Sequence, residues 1–566
     1  MSTRTLSVIY SSGSGNTKRL AENVTAILRE HGIHTALHDA KTFKHVTDLP
    51  VGNILYLTST RGVGHHPQAS KALMNSIRQS SSSALSGRHV AVLGVGSLRY
   101  PKFCAASRDA AELFRRHGAE TLLTPVHFDQ HEVDIGIRSW IRRVLEKCGT
   151  SDAKSMRTRR ISVKLSQAHP QRIQHMDTHL VHLKAAHALD SSGWVYTLTI
   201  PQTMACQLFP GAHVAISPRL DERIVEEILG NGTLVFNEHQ LRGADVIQVS
   251  GPTDLRLPHA PCTVLDLLCT DYDLTRPPTP DLIRTLGQYA QTDLDRFKLS
   301  YFSVDDATSS ILLSQWPTIR DFLLEFRELR IPLSVLLETV PRIKPRLYSV
   351  ASMPRRVERG WEVDLIVSNN PAMEESEGRY VSCVSYLKRL LGKQIAISIH
   401  DPDSHIFAAD RPMLGVSAGS GYAPFRALLH HRREQKALGK CLPPLLLFVS
   451  FKMYDQMLGT ELQEAVRDGL TSVVLAITRN EYGLTDVTDF MSPLGTSFKV
   501  IRGRRLDRET ILSLLPLDFL SSDAHVSYCG GTSGLIGELH QALRSRLGDS
   551  GYARLVDGGR LHIEAY

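Results

Sequence analysis

An α/β protein of several domains is what this chain predicts, on three observations. Apolar β-type runs alternate with helical patterns through residues 1–150, antiparallel-type strands with two helical stretches fill the middle, and an α/β pattern resumes at Met413 and continues to the end. The length agrees, because 566 residues exceed one hydrophobic core and predict roughly three or four domains.

The first runs, 6–10, 54–58, 89–94 and 121–128, read as strands, and Leu20, Val24, Ile27 and Leu28, then Ala110, Leu113 and Phe114, repeat at helical spacing between them. This alternation predicts a parallel, doubly wound sheet with ligands at the carboxyl ends of its strands. Three polar loops fall there, 11–17, 58–66 and 94–104, a convergence that suits a flavin mononucleotide. The polar stretch CGTSDAKSMRTRR, 148–160, follows an amphipathic segment and reads as a linker. Beyond it, 195–200 and 212–217 predict antiparallel strands, 281–297 and 319–330 helices, and 346–351, 361–368 and 394–400 further strands.

Composition is that of a water-soluble globular protein, 42% hydrophobic and 22% charged, with no run near the ~18 apolar residues of a membrane span. The opening MSTRTLSVIY lacks a secretory or transit pattern, so a cytoplasmic protein with no membrane partner is expected. Eight cysteines without CxxC or Cys/His ligand spacing predict thiols rather than a disulfide framework or a metal site. Residues 1–150 hold 19 Lys and Arg against 11 Asp and Glu, a net of +8 in a chain whose total is +7. No aromatic–basic interleaving points to nucleic acid, which leaves an acidic protein partner or a plain solvated surface.

YSSGSGNTKRL joins the first strand to the first helix. Gly15 with Gly13 permits close backbone approach, and Ser12, Ser14, Asn16 and Thr17 can donate to phosphate oxygens at the helix's positive end. The third loop, GVGSLRYPKFC, offers Tyr100 as an aromatic wall for an isoalloxazine. In PRLYSVAS, Arg346 presents a fork for a pyrophosphate, Tyr348 a ring face, and Ser349 and Ser352 hydroxyls for a second flavin's polar edge. VSAGSGYAPFRALL predicts a dinucleotide turn, with Gly419, Ser420 and Gly421 opening it, Pro424 in the first helical turn and Arg426 near phosphate.

These motifs resemble a family. YSSGSGNT, STRGVG, GVGSLRYPKF and FDQHE recur in order and spacing in the flavodoxin-like half of diflavin reductases, and YPKF with DQHE is similar to the NADPH-dependent diflavin reductases of cytosolic iron–sulfur protein assembly. The RxYSxxS pattern, FPGAHVAISP and CTVLDLLCTDYDLTRPP resemble the same enzymes, so the resemblance covers nearly the whole chain. It implies an FMN-binding flavodoxin-like domain at 1–148, a linker at 149–160, an antiparallel β-barrel FAD domain at 161–408 with a helical connecting region at about 220–335, and a Rossmann-like NAD(P)H domain at 409–566. It adds Thr60, Gly62, Gly64, Gly96, Phe103 and Asp129 to the FMN site, Cys383 to the FAD site, and Thr478 with Arg479 to the NADPH site. It also implies that Ser349, Cys529, Glu564 and Tyr566 form the hydride-transfer group, the last ring covering FAD until nicotinamide displaces it.

The resemblance has gaps. Leu484 and Asp486 stand where a Lys and a Tyr hold the 2′-phosphate of NADPH, and two lost charge-assisted bonds at roughly 1.5–3 kcal/mol each would weaken that preference. Arg502, Arg504 and Arg505 either compensate or form a solvated basic turn. Ser417 replaces a glycine, Val384 a hydroxyl donor near the FAD pyrophosphate, and Ser450 with Phe451 a Gly-Cys pair. The expectation is a monomeric reductase that carries electrons from NADPH through FAD and FMN to an acidic, anamorsin-type iron–sulfur protein. The alternatives are a soluble cytochrome-reductase-like enzyme serving haem proteins, and a degenerate flavin-binding scaffold.

Overall fold

The computed structural model describes residues 6–12, 16–60, 64–96, 103–129, 133–148, 161–173, 178–189, 193–251, 257–302, 316–358, 360–368, 382–400, 411–479, 487–520, 523–531 and 533–565. The chain divides into two compact units, 1–158 and 159–566.

In the first unit, strands β1 (Leu6–Ser11), β2 (Thr35–Asp39), β3 (Gly52–Ser59), β4 (Arg88–Gly96) and β5 (Glu120–Asp129) form one parallel sheet in the order β2-β1-β3-β4-β5. Helices α1 (Asn16–Glu30), α2 (Gln68–Arg78), α3 (Ala105–Arg116) and α4 (Val133–Lys147) connect them. That order reverses between β1 and β3, the topological switch point where such sheets bind ligands. Both faces are covered, which explains the unbroken apolar runs. Leu55, Leu57 and Leu93 pack with Trp140 and Ile141 on one side, and Ile54, Tyr56 and Val92 with Leu73, Ile77 and Phe114 on the other. Strand β2 escapes sequence reading because TALHD is short, polar at its end, and buried on only one residue.

The second unit has three parts. A seven-stranded antiparallel sheet uses β6 (His179–Leu189), β7 (Gly193–Ile200), β8 (His213–Ile216), β9 (Arg346–Ser349), β10 (Arg355–Val357), β11 (Gly360–Ser368) and β12 (Gln394–His400), in the order β9-β8-β12-β6-β7-β11-β10. It curls toward a barrel: Val350, just past β9, bridges to Leu365 of β11, and Ala351 donates to the Asp364 carbonyl at 2.8 Å. Between β8 and β9 the chain makes a helical subdomain with its own core, in which Trp316 meets Phe322 and Phe326 edge-on. The helix expected over 281–297 is two, Pro280–Gly287 and Asp293–Phe302, and the one expected over 319–330 stops at Glu325. The first break follows Gly287, a poor helix residue, with Thr292 capping the next helix through Asp295 N–H.

The last part is a second doubly wound sheet. Strands β13 (Met413–Ala418), β14 (Leu445–Phe451), β15 (Ser472–Ile477), β17 (Ser497–Arg502), β18 (His525–Gly530) and β19 (Leu561–Ala565) run parallel, and β16 (Phe490–Met491) pairs antiparallel at the edge. Their order is β16-β17-β15-β14-β13-β18-β19. No described helix is long and apolar enough to cross a membrane.

Candidate functional site

At the end of β1, the hydroxyls of Ser12 and Thr17 are buried and make no hydrogen bond among the described residues. Two orphaned donors at the positive end of a 15-residue helix are what a phosphate would satisfy, so these residues fit the terminal phosphate of FMN. Two other carboxyl ends contribute residues nearby in the sheet. Thr60 follows β3, takes the Ala106 N–H of α3 on its hydroxyl at 3.3 Å, and donates its own N–H to Val95 O at 3.1 Å. Gly96 ends β4 opposite Asp129, and a Cβ there would stand 2.9 Å from Cys104 Sγ, so the close approach of the next turn requires glycine. Phe103 is half-buried beside it, and Gly64 holds φ at +106°, in the left-handed region. Cys104, which caps α3 with φ +50°, is a strained non-glycine position that sequence reading passed over. Ser14, Gly15, Gly62 and Tyr100 lie outside the described residues, as do the side chains of Asn16 and Asp129.

The barrel carries the residues expected at the second flavin. On β9, Arg346 spends one N–H on Lys344 O at 2.6 Å and keeps the rest of its fork. Burial raises the Tyr348 phenol well above its ordinary value, and the Cys383 thiol beside it adds to the rise; burial likewise pushes Cys383 up to about 11. Val384 is buried in the barrel core, while Ser382 caps the short helix Cys383–Arg389 by accepting the Ser385 N–H at 3.3 Å. Ser352 is wholly buried and accepts the Asp364 N–H at 2.9 Å, so its hydroxyl oxygen holds β11 against the barrel strand.

Arg426 differs from its sequence expectation. Its guanidinium is buried and bonds to Glu461 at 2.7 and 2.8 Å, to Asp364 at 3.0 Å and to Ala351 O at 3.0 Å, leaving no free fork for a phosphate. The turn before it performs the expected approach: Gly419 holds φ +58°, and a Cβ on Gly421 would lie 2.0 Å from Cys529 O. The turn thus sits directly against β18. Ser420 shares a 2.6 Å hydrogen bond with Ser368, and Phe451 meets Tyr422 edge-on at 5.8 Å, so the aromatic replacing cysteine in LFVSFK is a packing residue. Ser417 is buried beside Cys529 in strand register, its hydroxyl without a partner among the described residues. Thr478 and Arg479 leave the end of β15, their N–H groups bonded to Phe451 O and Lys452 O. Leu484 and Asp486 lie outside the described residues.

The tightest constellation joins barrel and C-terminal sheet. Glu564 of β19 stands in register with Cys529 of β18; its Oε1 accepts from Ser349 Oγ at 3.2 Å and contacts His213 Nε2 at 2.5 Å. Ser349 and His213 are themselves paired across β9 and β8. Burial raises the Glu564 carboxyl, but the His213 hydrogen bond and charge, His562 and the Ser349 hydroxyl outweigh it and leave the group below the ordinary glutamate value. A buried carboxylate is held ionised between a hydroxyl and an imidazole, with a thiol alongside. His213 was not legible in sequence: FPGAHVAISP drew attention as a segment, but only the β8–β9 pairing aims its ring at Glu564. Tyr566 lies outside the described residues.

Comparison with known proteins identifies two domains of the chain. The flavodoxin family profile matches residues 8–139, and the FAD binding domain profile residues 198–386. The chain carries the two flavin domains of the diflavin oxidoreductases. It is an enzyme of that kind, with FMN and FAD as its flavins. It is 24% identical over 552 residues to the sulfite reductase [NADPH] flavoprotein alpha-component of Vibrio cholerae, covering 95% of this chain and 82% of that one. It is 24% identical over 504 residues to inducible nitric oxide synthase of Rattus norvegicus, 82% of this chain and 43% of the relative. It is also 25% identical over 499 residues to a self-sufficient cytochrome P450 monooxygenase, CYP505E4, of Penicillium camemberti, 84% of this chain and 46% of that one.

Proposed function

We propose that this diflavin oxidoreductase takes a hydride from NADPH and passes the electrons singly to an acidic, anamorsin-type iron–sulfur protein in cytosolic cluster assembly, acting as a cytoplasmic monomer. The observation that carries the reductase reading is the Ser349–Glu564–His213 contact set beside Cys529. Bound FAD would supply two-electron hydride acceptance and bound FMN one-electron release, the chemistry that these residues would serve. Ser349 donates its hydroxyl proton to Glu564, leaving its own lone pairs to accept from a ligand. The ionised Glu564 would favour positive charge developing on a nicotinamide. Cys529 and Gly421, both buried, shape a wall there.

The acceptor reading is supported by the similarity of YPKF and DQHE to reductases of cluster assembly and by the +8 balance of residues 1–150, which attracts an acidic surface. A second reading, a cytochrome-type acceptor, has the similarity to a cytochrome P450 monooxygenase behind it. Anaerobic mixing with NADPH, then with an anamorsin-type protein or a cytochrome, separates them. Both flavins bleach with NADPH and the iron–sulfur protein is reduced faster than the cytochrome; faster cytochrome reduction selects the second reading, and no bleaching rejects both.

A further inference from the structure

The carboxyl ends of three consecutive parallel strands carry a basic row. Lys452 follows β14, Arg479 follows β15, and Arg504 with Arg505 follows β17, all four exposed. Their levels are fixed by backbone geometry. Ile477 pairs with Arg502, Gly503 N–H reaches Ile477 O at 2.9 Å, and Arg479 N–H reaches Lys452 O at 2.7 Å. Neighbouring strands lie about 4.8 Å apart, so Gly503 stands one strand spacing from the end of β15, and Arg504 and Arg505 follow it directly in the chain. Gly503 turns the chain there with φ +65°, a left-handed position suited to glycine.

The three arginines after β17 are not equivalent. Arg502 gives Nη2 to Val487 O at 2.5 Å and so fastens the edge of the sheet. Arg504 lies near enough to Asp507 to feel its charge, but Asp507 Oδ1 is occupied by Thr510 N–H at 2.8 Å as a helix cap. The neighbouring Asp489 is likewise engaged, by Val500 N–H at 2.8 Å. This edge is also where an open parallel sheet holds its dinucleotide, next to the strand bearing the Gly419–Tyr422 turn.

We propose that Arg504 and Arg505, on the strand after the Thr478–Arg479 pair, supply the second arm of a clamp for the 2′-phosphate of NADPH, in place of the Lys and Tyr whose positions Leu484 and Asp486 occupy. The inference rests on the NADPH reading above and assigns coenzyme choice to a different strand of the same sheet. Two exposed guanidinium groups joining Arg479 match a dianionic phosphomonoester in charge and in fork geometry.

Calorimetric titration of the full chain with 2′,5′-ADP and with 5′-AMP tests it without turnover. The wild type binds 2′,5′-ADP the more tightly, and R504A/R505A loses about tenfold of that affinity while its 5′-AMP affinity is unchanged. Unchanged 2′,5′-ADP binding in the variant overturns the clamp while leaving NADPH use intact, as does an equal loss for both ligands. A wild type that does not distinguish the two ligands overturns the NADPH reading, and the clamp with it.

Discussion

Ser12 and Thr17 carry buried hydroxyls that find no partner among the described residues. A buried donor without a partner costs stability, so such groups persist where a ligand completes them. S12A/T17A is expected to weaken FMN binding by roughly tenfold or more per hydroxyl, read by flavin titration, while the thermal midpoint of the flavin-free protein stays level or rises. A fall in that midpoint with unaltered FMN affinity would assign both side chains to packing. Gly421 presents the opposite situation: no side chain fits, because Cys529 backbone already occupies the space. At Glu564 the lowered carboxyl pKa fixes the sign of a pH effect. The ionised form is favoured in the fold, so its stabilising contacts are complete above the ordinary glutamate range and fade as pH falls through the lowered value. H213A removes the largest opposing influence on the burial penalty. The acid limb of the NADPH-to-FAD rate should then move to higher pH, and an unmoved limb would release His213 from this role.

Elements are joined by one buried ion network. Asp364 on β11 takes both Arg355, at 2.9 and 3.0 Å, and Arg426, at 3.0 Å, and Arg426 reaches on to Glu461 of the helix Gln456–Arg467. Burial raises the Asp364 carboxyl, but Arg355 and Arg426 overcome it and hold the group at about 2. The folded pKa lies below the ordinary 3.8, so this stabilisation is present above about pH 4 and is lost as pH falls toward 2. Breaking the network from one side strands a buried charge: D364N is expected to lower the stability of the barrel and C-terminal sheet by about 3–5 kcal/mol in urea titrations at pH 7. The variant should also lose the wild type's steep decline between about pH 4 and 2; an unchanged decline would place the acid sensitivity elsewhere. The network explains why a residue that reads as a phosphate ligand serves a different purpose. Arginine at a helix's first turn suits an anion, but Asp364 and Glu461, 62 residues before and 35 after it in sequence, claim it first.

The molecule as a whole consists of two units with separate cores. Fragment 1–158 should therefore fold alone, bind FMN and melt as one of two transitions; a fragment that stays unfolded would show that its core is insufficient. The surplus positive charge of that unit gives a further expectation. Electron delivery to an acidic acceptor should slow as ionic strength rises, with NADPH-to-FAD transfer unaffected, because screening acts on encounter and not on contacts already buried.

The strand–helix alternation and the RLYS strand are local patterns, so both doubly wound sheets and the antiparallel middle are legible from residue order alone. Local patterns fail where partners come from afar. The single long helix expected over 281–297 is two, β2 was too short and polar to stand out, and Arg426 meets its carboxylates only after three elements assemble. The same holds for His213, Ser349 and Glu564, up to 351 residues apart in sequence, and for the arginines after β17. Sequence determined which chemistry-bearing side chains exist and which strand or turn bears each. Tertiary structure decided which of them meet, because hydrogen bonds and ion pairs act over a few ångströms of space and are indifferent to distance along the chain.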